Sequence, residues 1–312
     1  MVSDVKKKLD ASLISKMACK SPQELIRLSE KRYREQISDV ADRFASQFPK
    51  QKIILLSGPS SAGKTTTSHN LDTELEKRGI HTFPLSLDDF FFDRDRAPLM
   101  ADGKPDLETP ELIDTETLEN CLKVLFKEGK ADFPIFDFKL GKRSAQVWTH
   151  EHDENTAIII EGLHALNPLI SDRPVFADAL KLYISIKTEY YLGDERLIST
   201  HEMRFIRRII RDNNFRGCAP QDTIAMWENV VRGEERHIRP FRTNADVWID
   251  SLHLYEPSLY RPFAEKLLPE CLDIPECADI AKELLDKLSH FEPMSPVGIP
   301  SDSLMREFIE GI

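Results

Sequence analysis

Short apolar runs alternate with amphipathic, charge-rich stretches over most of the chain, and this alternation predicts an α/β protein. Runs such as IILL and AIII are too short for buried helices and indicate strands. Five strands are predicted, around residues 51–57, 81–87, 156–161, 179–186 and 245–250. Because apolar strands that alternate with helices form a parallel sheet covered on both faces, we expect such a sheet flanked by helices.

Helical periodicity extends beyond the predicted sheet at both ends of the chain. One or two helices are expected over residues 22–48, and further helical patterns cover 114–128, 255–270 and 276–291. The predicted division of the chain is an N-terminal helical extension (1–49), a central α/β domain (50–256), and a C-terminal helical segment with a tail (257–312).

The composition narrows the class of protein. The net charge of −11 argues against a nucleic-acid partner, since phosphate backbones are bound mainly through excess Lys and Arg. No apolar run approaches the roughly 20 residues that cross a bilayer, so no membrane partner is expected. Five scattered cysteines without a C-x-x-C pair suggest reduced thiols and a cytoplasmic protein. A homo-oligomer is left open.

The segment GPSSAGKT, residues 58–65, follows the first strand and opens a helix that is expected to end at Gly79. We call it the P-loop. Glycines let a backbone wrap closely around phosphate oxygens, and the amide groups of the helix N-terminus attract the anion. Lys64 adds a full charge, and the Thr65 hydroxyl suits Mg²⁺. The predicted nucleotide-binding residues here are Gly58, Ser60, Ser61, Ala62, Gly63, Lys64, Thr65 and Thr66.

Acidic residues follow two of the predicted strands at the same edge of the sheet. Asp88 and Asp89 come after the second strand, and Glu161 ends the third. A carboxylate there can accept a hydrogen bond from an attacking hydroxyl and help to position a metal ion. The alternatives are an ordinary turn for the Asp pair and an ordinary strand end for Glu161. Together with the P-loop, these acidic residues favour phosphoryl transfer, with Thr65, Asp88 and Glu161 as metal ligands.

Five arginines lie within residues 204–216, in MRFIRRIIRDNNFR. Arg204, Arg207 or Arg208, and Arg211 recur at helical spacing and share a face opposite an apolar one. By itself this pattern is an amphipathic helix with a solvated basic side. Because phosphoryl transfer requires cations over the transferred group, the pattern also fits a lid over about 200–220, with Gly217 as a hinge.

These motifs, in this order, resemble the uridine kinase and phosphoribulokinase family of P-loop kinases. The matching segments, over about residues 50–255, are GPSSAGKT, LSLDDFF, LETPELID, PIFDF, IIIEGLHALNP, MRFIRRIIRDNNFRG and ADVWID. The resemblance implies a P-loop NTPase-type fold with a lid. It also implies ATP and Mg²⁺ as cofactors, and transfer of a phosphoryl group to a hydroxyl of a nucleoside or sugar phosphate.

The resemblance also assigns roles to residues. Asp88 is similar to the catalytic aspartate, and Lys64 to the phosphate-binding lysine. Arg211 and Arg216 resemble lid arginines on the ATP phosphates, with Arg211 counted as catalytic, and Arg208 resembles one that contacts the acceptor. The implied acceptor-binding set is Glu108, Phe136, Asp137, Arg143, His164 and Arg208.

Departures from the family pattern fall on the acceptor side. Uridine kinases have a tyrosine and a histidine where this chain has Phe136 and Gly141, and Cys218 aligns with the arginine two residues after the lid arginine. Groups that recognise a base by hydrogen bonds discriminate strongly against analogues. Because this chain lacks them, the identity of the acceptor is left open. The expected function is a kinase of a uridine- or cytidine-like nucleoside. The alternatives are a kinase of a sugar, sugar phosphate or other metabolite, and a non-catalytic nucleotide-binding regulator.

Other polar residues have two interpretations each. His164 could contact the acceptor or be a satisfied histidine at a strand end. An anionic group of the acceptor could be bound by Lys139, Lys142 and Arg143, or these residues could lie in a solvated loop. His150 and His152 could form a metal pair, but without further ligands at a fitting spacing we favour a polar surface loop.

Overall fold

The computed structural model describes residues 6–99, 103 and 105–309. The strands in these residues are β1 (Lys7–Asp10), β2 (Ile53–Ser57), β3 (His81–Ser86), β4 (Lys130–Asp137), β5 (Lys142–Glu151), β6 (Thr156–Glu161), β7 (Leu180–Ser185), β8 (Thr188–Leu192), β9 (Glu195–Ile198) and β10 (Val247–Asp250). The α-helices are α1 (Ala11–Lys20), α2 (Pro22–Ala45), α3 (Lys64–Glu76), α4 (Thr115–Glu128), α5 (Pro168–Ser171), α6 (Thr200–Arg216), α7 (Pro220–His237), α8 (Glu256–Leu267) and α9 (Pro275–Ser289).

The central sheet has five parallel strands in the order β10-β7-β2-β6-β3. These are the five strands that the apolar runs predict, and the predicted parallel sheet flanked by helices is confirmed. Side chains of β2 alternate between two hydrophobic clusters. Ile54 and Leu56 pack in one cluster with the terminal helices, whereas Ile53 and Leu55 pack in the other with α4. Because both faces of β2 are covered, its residues form a continuous apolar run.

Two smaller sheets lie beside the central one, and the apolar pattern does not predict them. One is three-stranded, in the order β1-β8-β9, and the other is the antiparallel hairpin β4-β5. The hairpin corrects the expectation of a polar loop around His150. This residue lies in β5, and its ring stacks on Phe83 with 3.7 Å between the ring centroids.

The terminal segments share a hydrophobic cluster with the central sheet. Ile37 of α2, Leu284 of α9 and Phe308 near the C-terminus are all buried in the cluster that contains Ile54. The three-part division of the chain stays a prediction. Within the described residues, no helix has an apolar stretch long enough to cross a membrane.

Candidate active site

The P-loop lies between β2 and α3, as the sequence predicts, and its backbone explains two of its glycines. A side chain at Gly58 would collide with the carbonyl oxygen of Ile184 on β7. Gly63 has φ +91 and is the N-cap of α3, a conformation that residues with a side chain rarely adopt. The free amide groups of the first turn of α3 are therefore presented at the carboxyl edge of the sheet.

Lys64 faces the two carboxylates that the sequence singles out. Its Nζ donates to the carbonyls of Gly58 (3.0 Å) and Pro59 (3.3 Å). Burial lowers the pKa of Lys64, and the charges of Glu161 and Asp88 act against that effect. The ammonium thus lies among oxygen atoms of the loop, close to Glu161 at the end of β6 and Asp88 just after β3.

Glu161 and Asp88 are brought together by strand register. Glu161 ends β6 and lies between Leu56 of β2 and Ser86 of β3, whose hydroxyl is 3.3 Å from the Glu161 carboxylate. Burial raises the pKa of Glu161 to about 7. Burial also raises the pKa of Asp88, and Lys64 opposes this shift. A nearby cation therefore stabilises the ionised form of both carboxyl groups.

A cavity of about 260 Å³ lies over the P-loop, and we call it the phosphate cavity. It brings together most of the predicted site residues: Ser60, Ser61, Gly63, Lys64, Thr65, Asp88, Glu108, Glu161, Arg208, Arg211 and Arg216. It is also lined by residues that the sequence analysis did not identify, namely Gly162, Leu163, Val230, Glu234, Ile238 and Glu307. Gly58, Ala62, Thr66, Phe136, Asp137, Arg143 and His164 do not line it.

A larger cavity, of about 690 Å³, lies at the opposite end of the sheet. It is lined by residues at the start of β2, such as Lys52 and Ile53, and by Asp153 and Glu154 before β6. Ligands of open α/β sheets bind at the carboxyl ends of the strands, and the P-loop lies there. We therefore assign the site to the smaller phosphate cavity.

The first half of α6 is not a solvated basic face, which corrects that interpretation of the arginine pattern. Arg204 forms a bidentate ion pair with Glu234 and donates to the Ser60 carbonyl at 3.1 Å. Arg207 is fully buried against Glu256 and donates to the Ser61 carbonyl at 3.1 Å. These two guanidinium groups anchor α6 to the P-loop.

The second half of α6 carries the arginines that face the phosphate cavity. Arg208, Arg211 and Arg216 all lie within 3.6 Å of the buried carboxylate of Asp212. Arg208 also donates to the Ser60 hydroxyl at 2.8 Å. Asp212 was missed in the sequence because an acidic residue within a basic helix looks like a solvated neighbour. In the structure it gathers three cations at one end of the cavity.

A third cavity, of about 680 Å³, adjoins the phosphate cavity, and we call it the α7 cavity. Glu108 and Arg208 line both cavities, and α7 contributes residues such as Asn229, Arg232 and Arg236. Gly233 of α7 packs against Glu108, where a Cβ on the glycine would lie 2.7 Å from the Glu108 Cβ. The sequence analysis did not identify Gly233, although an isolated glycine inside a helical pattern can indicate such a close approach.

The structure does not bring Phe136, Asp137 and Arg143 to either cavity. The Asp137 carboxylate accepts from the amides of Lys139 and Leu140 and so closes the turn of the hairpin. Arg143 pairs with Asp114 at 3.1 Å and donates to the Phe90 carbonyl.

The acceptor role of Phe136, Asp137 and Arg143 stays a prediction, since their contacts in this structure are those of a supporting hairpin. The Phe136 amide donates to the Asp89 carboxylate at 3.2 Å, so the hairpin supports the turn that carries Asp88 and Asp89. The position of Gly141, at φ +66 beside Arg94, also belongs to this supporting structure.

His164 lines neither the phosphate cavity nor the α7 cavity. Only 3% of the residue is exposed, and its ring centroid is 6.3 Å from that of His237. Burial lowers the pKa of His164 to about 4, against the effect of contacts with the backbone of His237 and Glu108. The neutral ring lies next to the backbone of Glu108, and its buried Nδ1 has no hydrogen-bond partner among the described residues, so contact with an acceptor stays a prediction.

The oxygen donors around Lys64 fit Mg²⁺. Hydroxyl and carboxylate oxygens from Thr65, Asp88 and Glu161 line one cavity. Among the described residues, no three His, Cys, Asp or Glu side chains are grouped so that they could hold a metal ion by themselves. Mg²⁺ is usually bound by one or two carboxylates together with substrate phosphates, so the donor set is suitable when phosphates complete it.

Comparisons with known proteins agree with this geometry. The chain is 29% identical to the uridine kinase of Ligilactobacillus salivarius over 204 residues, which cover 65% of this chain and 86% of the relative. It is 28% identical to the uridine kinase of Clostridium tetani over 198 residues, which cover 63% and 85%.

A crystal structure from Silicibacter sp. TM1040, named as a fructose transport system kinase, shares the fold with a TM-score of 0.50. Its sequence is 19% identical, and the match covers 68% of this chain and 98% of that one. The sequence model of the phosphoribulokinase / uridine kinase family matches residues 53–256, which include every residue that lines the phosphate cavity except Glu307. Because this match spans well over half of the chain, the protein belongs to the phosphoribulokinase / uridine kinase family of P-loop kinases.

Proposed function

We propose that this protein is an ATP- and Mg²⁺-dependent kinase that transfers the γ-phosphoryl group to a hydroxyl of a nucleoside, with uridine or cytidine as the first candidates. The observation that carries the proposal is that Asp88 and Lys64 line one cavity, which adjoins a second cavity at Glu108 and Arg208. A phosphate donor and a hydroxyl acceptor can therefore meet at Asp88. The names of the relatives support the nucleoside.

Asp88 is proposed to accept the proton of the attacking hydroxyl. Its burial raises the pKa of the carboxyl group, which makes the carboxylate a stronger base than an exposed aspartate. The charge of Lys64 keeps the carboxylate ionised and, on the other side, offers a cation to the phosphates. Thr65, Asp88 and Glu161 would hold Mg²⁺, which, when bound, neutralises charge on the transferred group.

Arg208, Arg211 and Arg216 are proposed to stabilise the charge that spreads over the transferred phosphoryl group. Asp212 holds these guanidinium groups before the substrate arrives, so little reorganisation is needed during the reaction. A lid movement, if α6 makes one, is confined to its second half and to Gly217. The first half is held by the contacts of Arg204 and Arg207 with the P-loop.

A sugar, sugar phosphate or other metabolite is the second candidate acceptor. The α7 cavity contains Arg208, Arg232 and Arg236 beside Glu108 and Asp106, and such a mixture suits hydroxyl groups together with an anionic group. A non-catalytic regulator is the third candidate. It is disfavoured because Asp88 and Glu161 both face Lys64, an arrangement that nucleotide binding alone would not require.

An ADP-release screen over nucleosides, sugars and sugar phosphates tests the proposal. We expect rapid, Mg²⁺-dependent ADP release with uridine or cytidine, and only background release from an Asp88→Asn variant. Strong release with another acceptor and none with uridine or cytidine would move the substrate to the second candidate. The absence of acceptor-dependent release over the whole screen would contradict the kinase assignment.

A further inference from the structure

The C-terminal segment, which we define as residues 303–309, packs directly on the P-loop. Leu304, Met305, Phe308 and Ile309 are buried in the main hydrophobic cluster. The Leu304 Cδ1 lies 2.5 Å from the place that a Cβ on Gly63 would take, so the leucine covers the N-cap of α3. This segment lies outside residues 53–256, which the family model matches.

Contacts from several elements fix this segment in place without any help from Glu307. The Ser303 hydroxyl donates to the buried Glu30 carboxylate at 2.6 Å. The Tyr260 hydroxyl contacts the Met305 sulfur at 3.3 Å, and Asn214 of α6 donates to the Phe308 carbonyl at 3.2 Å. The segment is therefore a part of the folded core that touches both the P-loop helix and α6.

Glu307 is the residue of this segment that faces the phosphate cavity. Its carboxylate accepts from the Thr66 hydroxyl at 2.9 Å, on the first turn of α3. It also lines the cavity together with Lys64 and Arg216. Its charge acts on both of these cations, and on the carboxylate of Glu161.

A carboxylate and a phosphate seek the same partners. Both accept hydrogen bonds from hydroxyl and amide groups at a helix N-terminus, and both are attracted by Lys and Arg. Glu307 thus occupies the Thr66 hydroxyl, which the sequence predicts for a nucleotide, and adds a negative charge to a cavity of only about 260 Å³. A polyphosphate that enters this cavity meets an acidic competitor.

We propose that the C-terminal segment is a built-in brake on nucleotide binding, in which Glu307 competes with the phosphates for Thr66 and for the cations of the phosphate cavity. The inference rests on the proposed function, because it assumes that a nucleoside triphosphate binds at the P-loop. Glu307 leaves Thr66 when the phosphates bind, while the apolar side chains of the segment stay in the core.

Titration calorimetry with ATP in the presence of EDTA, and again with Mg²⁺, tests the brake directly. We compare the wild-type protein with Glu307→Gln, which keeps the size and the hydrogen-bonding capacity of the side chain but removes its charge. Asp302→Asn is the matched control. It removes one charge just before the segment, from a side chain that is 59% exposed and is paired with Arg34.

Without Mg²⁺, we expect Glu307→Gln to bind ATP roughly 10-fold more tightly than the wild-type protein, since the repulsion between neighbouring charges is large in a partly buried site. The gain should fall from ATP to ADP to AMP as the charge of the ligand falls, and Asp302→Asn should show no gain. Equal or weaker ATP binding by Glu307→Gln would overturn the inference. Weaker ATP binding by this variant that is seen only with Mg²⁺ would also overturn it.

The same titrations separate this inference from the proposed function. If neither the wild-type protein nor Glu307→Gln binds a nucleoside triphosphate, the proposed function fails and the brake fails with it. If the wild-type protein binds ATP and the charge of Glu307 makes no difference, only the brake fails. Binding by Glu307→Gln alone would support both.

Discussion

Arg207 and Glu256 form an ion pair that solvent does not reach from either side, with 2.6 Å between Nη2 and Oε1. The same guanidinium group donates to the carbonyls of Ser61 (3.1 Å) and Ser251 (2.9 Å). One buried side chain therefore joins α6, the P-loop and the turn between β10 and α8. The position of the P-loop depends on this pair as well as on its own glycines.

Replacement of Arg207 by Met is expected to destabilise the protein strongly. The change leaves Glu256 buried without its partner, and the loss of one member of a buried pair costs about 3–5 kcal/mol in the free energy of unfolding. Urea denaturation measures this loss. Arg196→Met is the matched control, because Arg196 is 53% exposed and its contact with Glu189 is long, at 3.6 Å. We expect the control to lose less than about 1 kcal/mol. Similar losses in the two variants would contradict the role of the buried pair.

Replacement of His164 by Asn is expected to flatten the dependence of stability on acidic pH. The folded pKa, about 4, is lower than the usual value of 6.5, so between these values the unfolded chain binds a proton that the folded protein does not. The contribution of this residue to the free energy of unfolding is fully present above pH 6.5. It decreases by up to about 3 kcal/mol as the pH falls toward 4. Urea denaturation between pH 7 and pH 5 tests this. Parallel curves for the wild-type protein and the variant would contradict it.

Replacement of Gly233 by Ala is expected to impair use of the acceptor and to spare ATP binding. The added methyl group would lie 2.7 Å from the Glu108 Cβ, so α7 and the Glu108 loop must move apart. Small displacements of positioning groups can lower kcat/KM by roughly 10- to 100-fold. Steady-state kinetics with the best acceptor measures this loss, and calorimetry gives the Kd for ATP. An equal loss in ATP affinity, or no loss in kcat/KM, would contradict the assignment of the α7 cavity to the acceptor.

The parts of the fold that the sequence predicts are those with local causes. The central strands β2 and β6 are continuous apolar runs because both of their faces are buried, and the P-loop is a contiguous sequence motif. The short strands β1, β8 and β9 were missed. They contain mixed residues such as KKLD and ERLI, and they form only by pairing with one another.

The parts of the site that were missed depend on contacts between distant residues. Glu307 is 241 positions from Thr66, so no spacing rule could join them. Helical periodicity places Arg204, Arg207 and Arg208 near one another, but it does not decide which of them is buried. Their acidic partners Glu234 and Glu256 lie on later helices. Asp137 is the opposite case, because a carboxylate that accepts from the amides of its own turn cannot be told from a free ligand in the sequence.

The turnover of an Asp88→Asn variant tests the central claim most directly. Asp89→Asn is the matched control: its amide oxygen can still accept from the Phe136 amide, and Asp89 does not line the phosphate cavity. With the best acceptor from the ADP-release screen, we expect Asp88→Asn to lower kcat by about 10²- to 10⁴-fold while ATP binding without Mg²⁺ is not weakened. Asp89→Asn should keep most of the activity. Near-normal turnover by Asp88→Asn, or an equal loss in both variants, would contradict the account.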